Sequence, residues 1–335
     1  MKVEGAQSNQ FLVSKSFLCS AALARLLEKA YGLSKVRCQL IQATMRDVYQ
    51  VATSHQSYVL FIYHAHQRTA AEITAEWDFI DYLDAGGVAV APAVRQSNGQ
   101  LLLAIDAPEG VRHAVLSTFV EGKHLRHKYS VEAVRRYGRA IAQIHALADT
   151  MPHTLTPHTL MRPRNEFDSI VAQSIAAFET VYPNRTADIA YLHQVAPILE
   201  TGMNLLPKEK PVYGLIHGDA IRANAQVSEN GSVTVLDFDL CGWGWRSYDV
   251  ASFLQAIEGT PQQEEAGQAF LDGYQQIRTL TKEEMDSLPL FVAARHIFSI
   301  GVPALNAYHW GGSYLSDTSI KSSLDGIRRH LEKSA

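Results

Sequence analysis

Along the first 120 residues the apolar positions change period several times, and each change marks an element. Leu23, Leu26, Leu27 and Ala30 recur at helical spacing and Gly32 follows them, which predicts a helix over residues 20–31. Three short runs rich in β-branched and aromatic residues come next, Val36–Ile41, Val48–Ala52 and Tyr58–Tyr63, and read as strands. Thr69 and Glu72 have capping-box spacing, Ile73, Trp77 and Ile80 share one face, and Gly86-Gly87 closes the pattern; a second helix is expected between them. Two more strands, Leu101–Ile105 and Ala114–Phe119, follow an Asn98-Gly99 turn signal. The result is a small antiparallel sheet carrying one key helix.

From about Ser130 the pattern turns mainly helical. Val134, Ile141, Ile144 and Ala148 mark a long buried helix, and helical periods return around 168–181, 186–204, 247–257, 262–278, 283–300 and 317–333. Residues 151–164 hold three prolines and should be extended or looped. One β-rich island, Tyr213–Asp239, interrupts the helices. The expected class is α+β with two lobes: residues 1–119 β-rich with a leading helix, a short connection over 120–125, and a helical lobe over 126–335.

Composition narrows the function. A net charge of −4 and scattered Lys and Arg give no footprint for nucleic acid. The three cysteines, Cys19, Cys38 and Cys241, lie far apart without metal spacing and read as reduced thiols. The N-terminal residues lack the apolar core of a signal peptide, and no apolar run is expected to reach the ~20 residues of a membrane span. A soluble cytoplasmic protein with no membrane partner is the expectation.

The chemistry concentrates between Tyr213 and Leu240. An apolar run ends at His217-Gly218-Asp219, and Asn224 follows five residues after Asp219. A strand over Ala225–Val227, an Asn230-Gly231 turn and a strand over Val233–Leu236 then deliver Asp237 and Asp239. Phosphoryl transfer from Mg·ATP needs a carboxylate to take the proton of the acceptor hydroxyl and oxygen ligands for magnesium. Asp219 fits the first need, and Asn224 and Asp237 fit the second. As single residues each could equally be a turn cap.

This ordered set resembles the aminoglycoside phosphotransferase and choline kinase family, small-molecule kinases with a protein-kinase-like fold. The segment Asp237–Leu254 is similar to that family's acidic pair, Gly-rich step and Tyr-Asp helix start. Weaker likeness takes in Tyr58–Tyr63, the helix bearing Glu76, Ser117–Leu125 and Gly138–Leu147. The resemblance implies ATP and Mg2+ as cofactors, Asp219 as base, and Asn224 and Asp237 as magnesium ligands. It also implies an adenine-facing backbone at Ser117, Thr118, Phe119 and Val120, a role for Glu76 toward the phosphates, and structural support from His217 and Asp249. The acceptor would be a hydroxylated small molecule.

Two positions depart from the family pattern. Phe61 stands where a strand cation usually pairs with the helix Glu, and Ile221 stands where a His is common. Arg46 or His64 could supply the missing charge. Asp239 is either a metal ligand or a loop cap. His64 and His66 are either strand-end metal ligands or exposed polar residues, and Trp243 and Trp245 either line a substrate pocket or pack beneath a loop. Other functions remain open at this level: a pseudokinase acting by binding, a sugar-nucleotide transferase using Asp237-Phe238-Asp239, or a kinase of an aminoalcohol, a sugar or homoserine.

Overall fold

The computed structural model describes residues 12–127, 129–151, 161–307 and 315–332. Its contacts divide the chain into two units, one of residues 1–74 and 92–119, the other of residues 75–91 and 120–335.

The first unit is a twisted antiparallel sheet under one helix, α1 (Ser20–Tyr31). The strands β1 (Arg37–Ala43), β2 (Arg46–Ala52), β3 (Ser57–Tyr63), β4 (Ala93–Val94) and β6 (Gly110–Thr118) run in the order β1-β2-β3-β6-β4, and β5 (Leu103–Ala107) pairs with β6. Register decides which side chains go inward. Tyr49 pairs with Leu60 and Val51 with Tyr58, and Leu60 faces Leu116 on the other side. With Ile62 they make the apolar face onto which Leu23 and Leu27 of α1 pack. Because side chains alternate along a strand, Phe61 and Tyr63 lie on the opposite face. There the Arg46 guanidinium sits 4.1 Å from the Phe61 ring centroid, and its Nη1 donates to Tyr63 Oη at 3.2 Å. Asp47 points inward and is fully buried, with Arg112 Nη2 at 2.7 Å, Lys15 Nζ at 3.3 Å and His64 Nε2 at 3.3 Å. Burial pushes its carboxyl up, but the hydrogen bonds from His64 and Arg112 and the nearby charges outweigh this and hold it at about 2.

Helix α2 (Ala70–Ala85) starts as expected, with Thr69 N donating to Glu72 Oε2 at 2.8 Å and Glu72 N to Thr69 Oγ1 at 3.2 Å. From Ala75 onward its contacts belong to the second unit, whereas the sequence pattern groups it with residues 1–119. The reason is side-chain partnership: Phe79 stands edge-on to Phe238, and Tyr82 Oη donates to Leu147 O.

In the second unit α3 (Val131–Asp149) is capped by Ser130, whose side chain accepts from Ala133 N, and it buries Val134, Tyr137, Ile141, Ile144 and His145. Two small sheets carry the island. The hairpin β10 (Ala225–Val227) and β11 (Val233–Val235) adds β7 (Lys123–His124); β12 (Gly242–Trp245) lies between β8 (Arg164–Asn165) and β9 (Tyr213–Ile216). The remaining helices are Gln173–Val181, Thr186–Asn204, Arg246–Ile257, Gln263–Gln275, Lys282–Leu305 and Asp317–Leu331, close to the expected ranges. The expected helix over 168–181 opens as a π-type turn, Asp168–Ala172. Most of the proline-bearing segment 151–164 lies outside the described residues. The two-residue strands β4, β7 and β8 went unpredicted because they are too short to show a period. One expectation needs correction: Lys282–Leu305 is long and apolar enough to cross a bilayer, but 61% of its apolar window is buried inside the protein, as in a core helix.

Candidate active site

The turn after β9 is built around one buried carboxylate. Asp249, in the first turn of the helix Arg246–Ile257, accepts from His217 N at 2.7 Å and from Gly218 N at 2.8 Å. His145 Nε2 lies 3.0 Å from the same carboxylate, and His145 Nδ1 lies 2.7 Å from Tyr274 Oη. Burial lowers the His145 pKa to about 4 against the pull of Asp249, so the ring is neutral and donates to the carboxylate. Burial pushes Asp249 up, yet the His145 hydrogen bond and the His217 amide bring it below the ordinary carboxylate value. The chain Tyr274–His145–Asp249 thereby fixes two consecutive main-chain N–H groups.

Gly218 is required at this turn. Its φ is +80°, and a Cβ there would stand 2.2 Å from Leu240 O. The sharp reversal presents Asp219, whose side chain is 21% exposed. Asn224 Nδ2 donates to both Asp219 O and Asp219 Oδ2 at 2.9 Å. The amide is thereby oriented with Oδ1 directed away from Asp219 and able to accept. Asp219 Oδ1 receives Arg295 Nη2 at 2.7 Å from the helix Lys282–Leu305. Arg295 is buried, its guanidinium 4.9 Å from the Phe298 ring centroid, with Nη1 on Tyr248 Oη at 3.3 Å. Burial works against its charge, but Tyr248 and Asp219 raise its pKa above the ordinary arginine value.

The same turn locates Asp237. Leu236 N donates to Asn224 O at 2.8 Å, and His217 Nε2 donates to Leu236 O at 2.9 Å. That fixes the His217 tautomer, so its Nδ1 accepts the Asp219 amide at 3.2 Å. Asp237 itself has φ +63°, a left-handed conformation that costs an L-residue about 1–2 kcal/mol. Strain of this kind accompanies sites where a side chain must be aimed. The two acids of this loop differ in exposure: Asp237 is exposed, whereas Asp239 is buried.

Beneath the loop lies a residue that the sequence pattern did not single out. Arg162 is buried; its Nε donates to Cys241 O at 2.8 Å and its Nη2 to Asp239 O at 2.7 Å. Its Nη1 lies 3.4 Å from Glu76 Oε2, so the helix Glu has a cationic partner that is not on the strand. Trp245 is buried, with Nε1 on Pro207 O, and so packs beneath the loop; Trp243 is half-buried and stacked on Tyr213.

The other expected residues have local partners of their own. Ser117 Oγ donates to Pro92 O, and Val120 O accepts from Gln226 Nε2 at 2.7 Å. Arg46 rests on Phe61, and His64 is engaged by Asp47. His66 Nε2 lies 3.2 Å from Glu109 O.

A partly exposed carboxylate on a buried turn, an oriented amide beside it and an exposed acid after a hairpin, in an α+β chain of this order, are the donor set that phosphoryl transfer needs. Residues 38–288 match the model of the phosphotransferase enzyme family, and the chain belongs to it. The amicoumacin kinase of Bacillus subtilis is 24% identical over 288 residues, covering 81% of each chain. A microcompartment-associated aminopropanol kinase has a similar fold, with a TM-score of 0.78 at 21% identity over 94% of this chain and 98% of its own. An amicoumacin kinase in complex with AMP-PNP, Ca2+ and Ami gives a TM-score of 0.77 at 21% identity, covering 94% and 93%. The protein is a small-molecule phosphotransferase of this protein-kinase-like fold.

Proposed function

We propose that this soluble, cytoplasmic protein transfers the γ-phosphate of ATP to a hydroxyl of a small molecule, with Asp219 as base. The observation that carries the reading is the Arg295–Asp219–Asn224 arrangement, with Leu236, the residue before Asp237, bonded to Asn224 O. Asp219 orients the acceptor hydroxyl and takes its proton as the O–P bond forms. Asn224 Oδ1 and the Asp237 carboxylate are suited to Mg2+, being a neutral and an anionic hard oxygen donor. The bound ion would neutralise charge on the phosphates. Arg295 acts through Asp219: it holds Oδ1 while Asn224 holds Oδ2, so the carboxylate keeps one orientation and its remaining lone pairs serve the acceptor. The backbone at Ser117–Val120 is assigned to the adenine.

The Phe61 departure is less of an obstacle than its sequence position suggests. Arg46 returns a guanidinium to the same sheet face, and Arg162 gives Glu76 a cation. These favour an active enzyme over a pseudokinase.

The acceptor is best read as an amino alcohol or homoserine-like molecule rather than a polycation. A polycation needs uncommitted carboxylates. Glu258 is engaged by His296 and His330 and Asp317 by Arg185, so neither is free to meet a polycation.

Calorimetry of Mg·ATP binding, comparing wild type with Asp237→Ala, tests the nucleotide half. Magnesium-dependent binding that the substitution abolishes is expected, and no binding to folded wild type would move the pseudokinase reading to first place. Asp219→Asn is expected to keep nucleotide affinity and abolish transfer across a panel of amino alcohols. Unchanged turnover would remove Asp219 from the base role.

A further inference from the structure

Three helical segments converge on Glu258. It follows directly on the helix Arg246–Ile257; His296 comes from the helix Lys282–Leu305, and His330 from the last turn of Asp317–Leu331. His296 Nε2 lies 2.9 Å from Glu258 Oε2, and His330 Nε2 lies 2.5 Å from Glu258 Oε1. One ligand atom from each residue falls within 4.8 Å of the others. We propose that Glu258, His296 and His330 form a binding site for a divalent transition-metal ion of the zinc class.

The donor chemistry specifies the ion. Two imidazole nitrogens and one carboxylate oxygen suit Zn2+ and its neighbours and do not suit Mg2+, which demands oxygen donors. In a tetrahedral zinc site with bonds near 2.0–2.1 Å, ligand atoms stand about 3.3 Å apart. Reaching that spacing opens the His–Glu contacts of 2.9 and 2.5 Å and draws in the longer separations, all within 4.8 Å, by side-chain adjustment. Three protein ligands leave a fourth position for water.

Two further observations point to a space kept for the His296 ring. The first is Gly326, where a Cβ would lie 2.2 Å from His296 Nε2 and 2.4 Å from its Cε1. Any side chain there would push the ring off Glu258. The second is that His296 Nδ1 is buried without a hydrogen-bond partner. With Nε2–H donated to Glu258, Nδ1 is a lone-pair donor that no protein group has claimed. Arg329 Nη1 reaches Glu258 Oε2 at 3.3 Å, but its side chain is 46% exposed and can swing into solvent when a cation arrives.

The test uses the full chain, stripped with chelator and titrated with ZnCl2 by calorimetry at neutral pH, with melting temperature read in parallel. One ion per chain is expected, together with a rise in melting temperature, both persisting in millimolar Mg2+. His330→Ala alters a partly exposed residue and should fold. It and Glu258→Gln are each expected to weaken zinc by roughly a hundredfold. No saturable zinc binding, or binding that survives both substitutions in folded protein, overturns the site and leaves a proton-linked ion cluster only. Asp237→Ala serves as the control: loss of zinc binding there would assign the ion to the phosphoryl-transfer cluster instead.

Discussion

Arg295→Met isolates the contact that most sharply distinguishes this site from a set of turn residues. The substitution removes one charge-assisted hydrogen bond, 2.7 Å long, from Asp219 Oδ1. Met retains the length of the side chain and can keep packing near Phe298 and Tyr248, which flank the guanidinium. Asp219 is 21% exposed, so water can take over part of the lost solvation and the fold should survive. A hydrogen bond to a charged group contributes about 1.5–3 kcal/mol. At tenfold per 1.36 kcal/mol, its loss from the positioned base lowers kcat about 10- to 150-fold. The KM for ATP should change little, because Arg295 touches the base and not the proposed metal ligands. Arg295→Lys keeps the charge but not the planar fork that spans Asp219 and Tyr248, and should recover only part of the rate. Steady-state kinetics with a good amino-alcohol acceptor, alongside circular dichroism, measure both. A folded Arg295→Met enzyme with kcat within about threefold of wild type would refute the positioning role.

Gly218→Ala should lose activity and about 2–4 kcal/mol of stability, since the left-handed backbone and the Leu240 carbonyl both oppose a Cβ; urea melts measure the loss, and near-wild-type stability would contradict the turn geometry. Arg46→Met should weaken ATP binding about tenfold or more if the guanidinium over Phe61 serves the phosphates, and unchanged affinity by calorimetry would remove it from that role. His145 sets an acid limit. Its folded pKa of about 4 lies below the ordinary histidine value, so between about 6.5 and 4 the unfolded chain binds the extra proton. Stability is intact above that window and falls by about 3 kcal/mol across it as the pH drops. Denaturant titrations at stepped pH should show this slope, and His145→Gln should flatten it.

Much of the candidate site's local geometry could be read in the sequence because it is short-range. Asp219 and Asn224 are five residues apart, and the Asn230-Gly231 turn returns the chain so that Asp237 follows two residues after β11. Capping at Thr69 and the α1 stripe were legible for the same reason. Arg295 was not, since it lies 76 residues from Asp219 on a helix whose apolar sequence reads as plain core. Arg162 follows a proline-bearing stretch with no period, and its work is done on carbonyl oxygens, which leave no trace in residue type. The contacts of α2 from Ala75 onward fall in the second unit, which the sequence does not show, because an amphipathic pattern says that a face is buried without saying against what.

Leu236 shows where the chain is free to vary. Its N–H is held by Asn224 O and its C=O by His217, so the direction in which the next residue leaves is fixed by main-chain atoms. The identity of its own side chain carries none of that information. A library randomised at position 236 should accept most residues and reject proline, which lacks the N–H. The flanking positions 217 and 224 should reject nearly everything. Drift within the family can therefore rewrite the letter beside Asp237 while leaving its aim untouched.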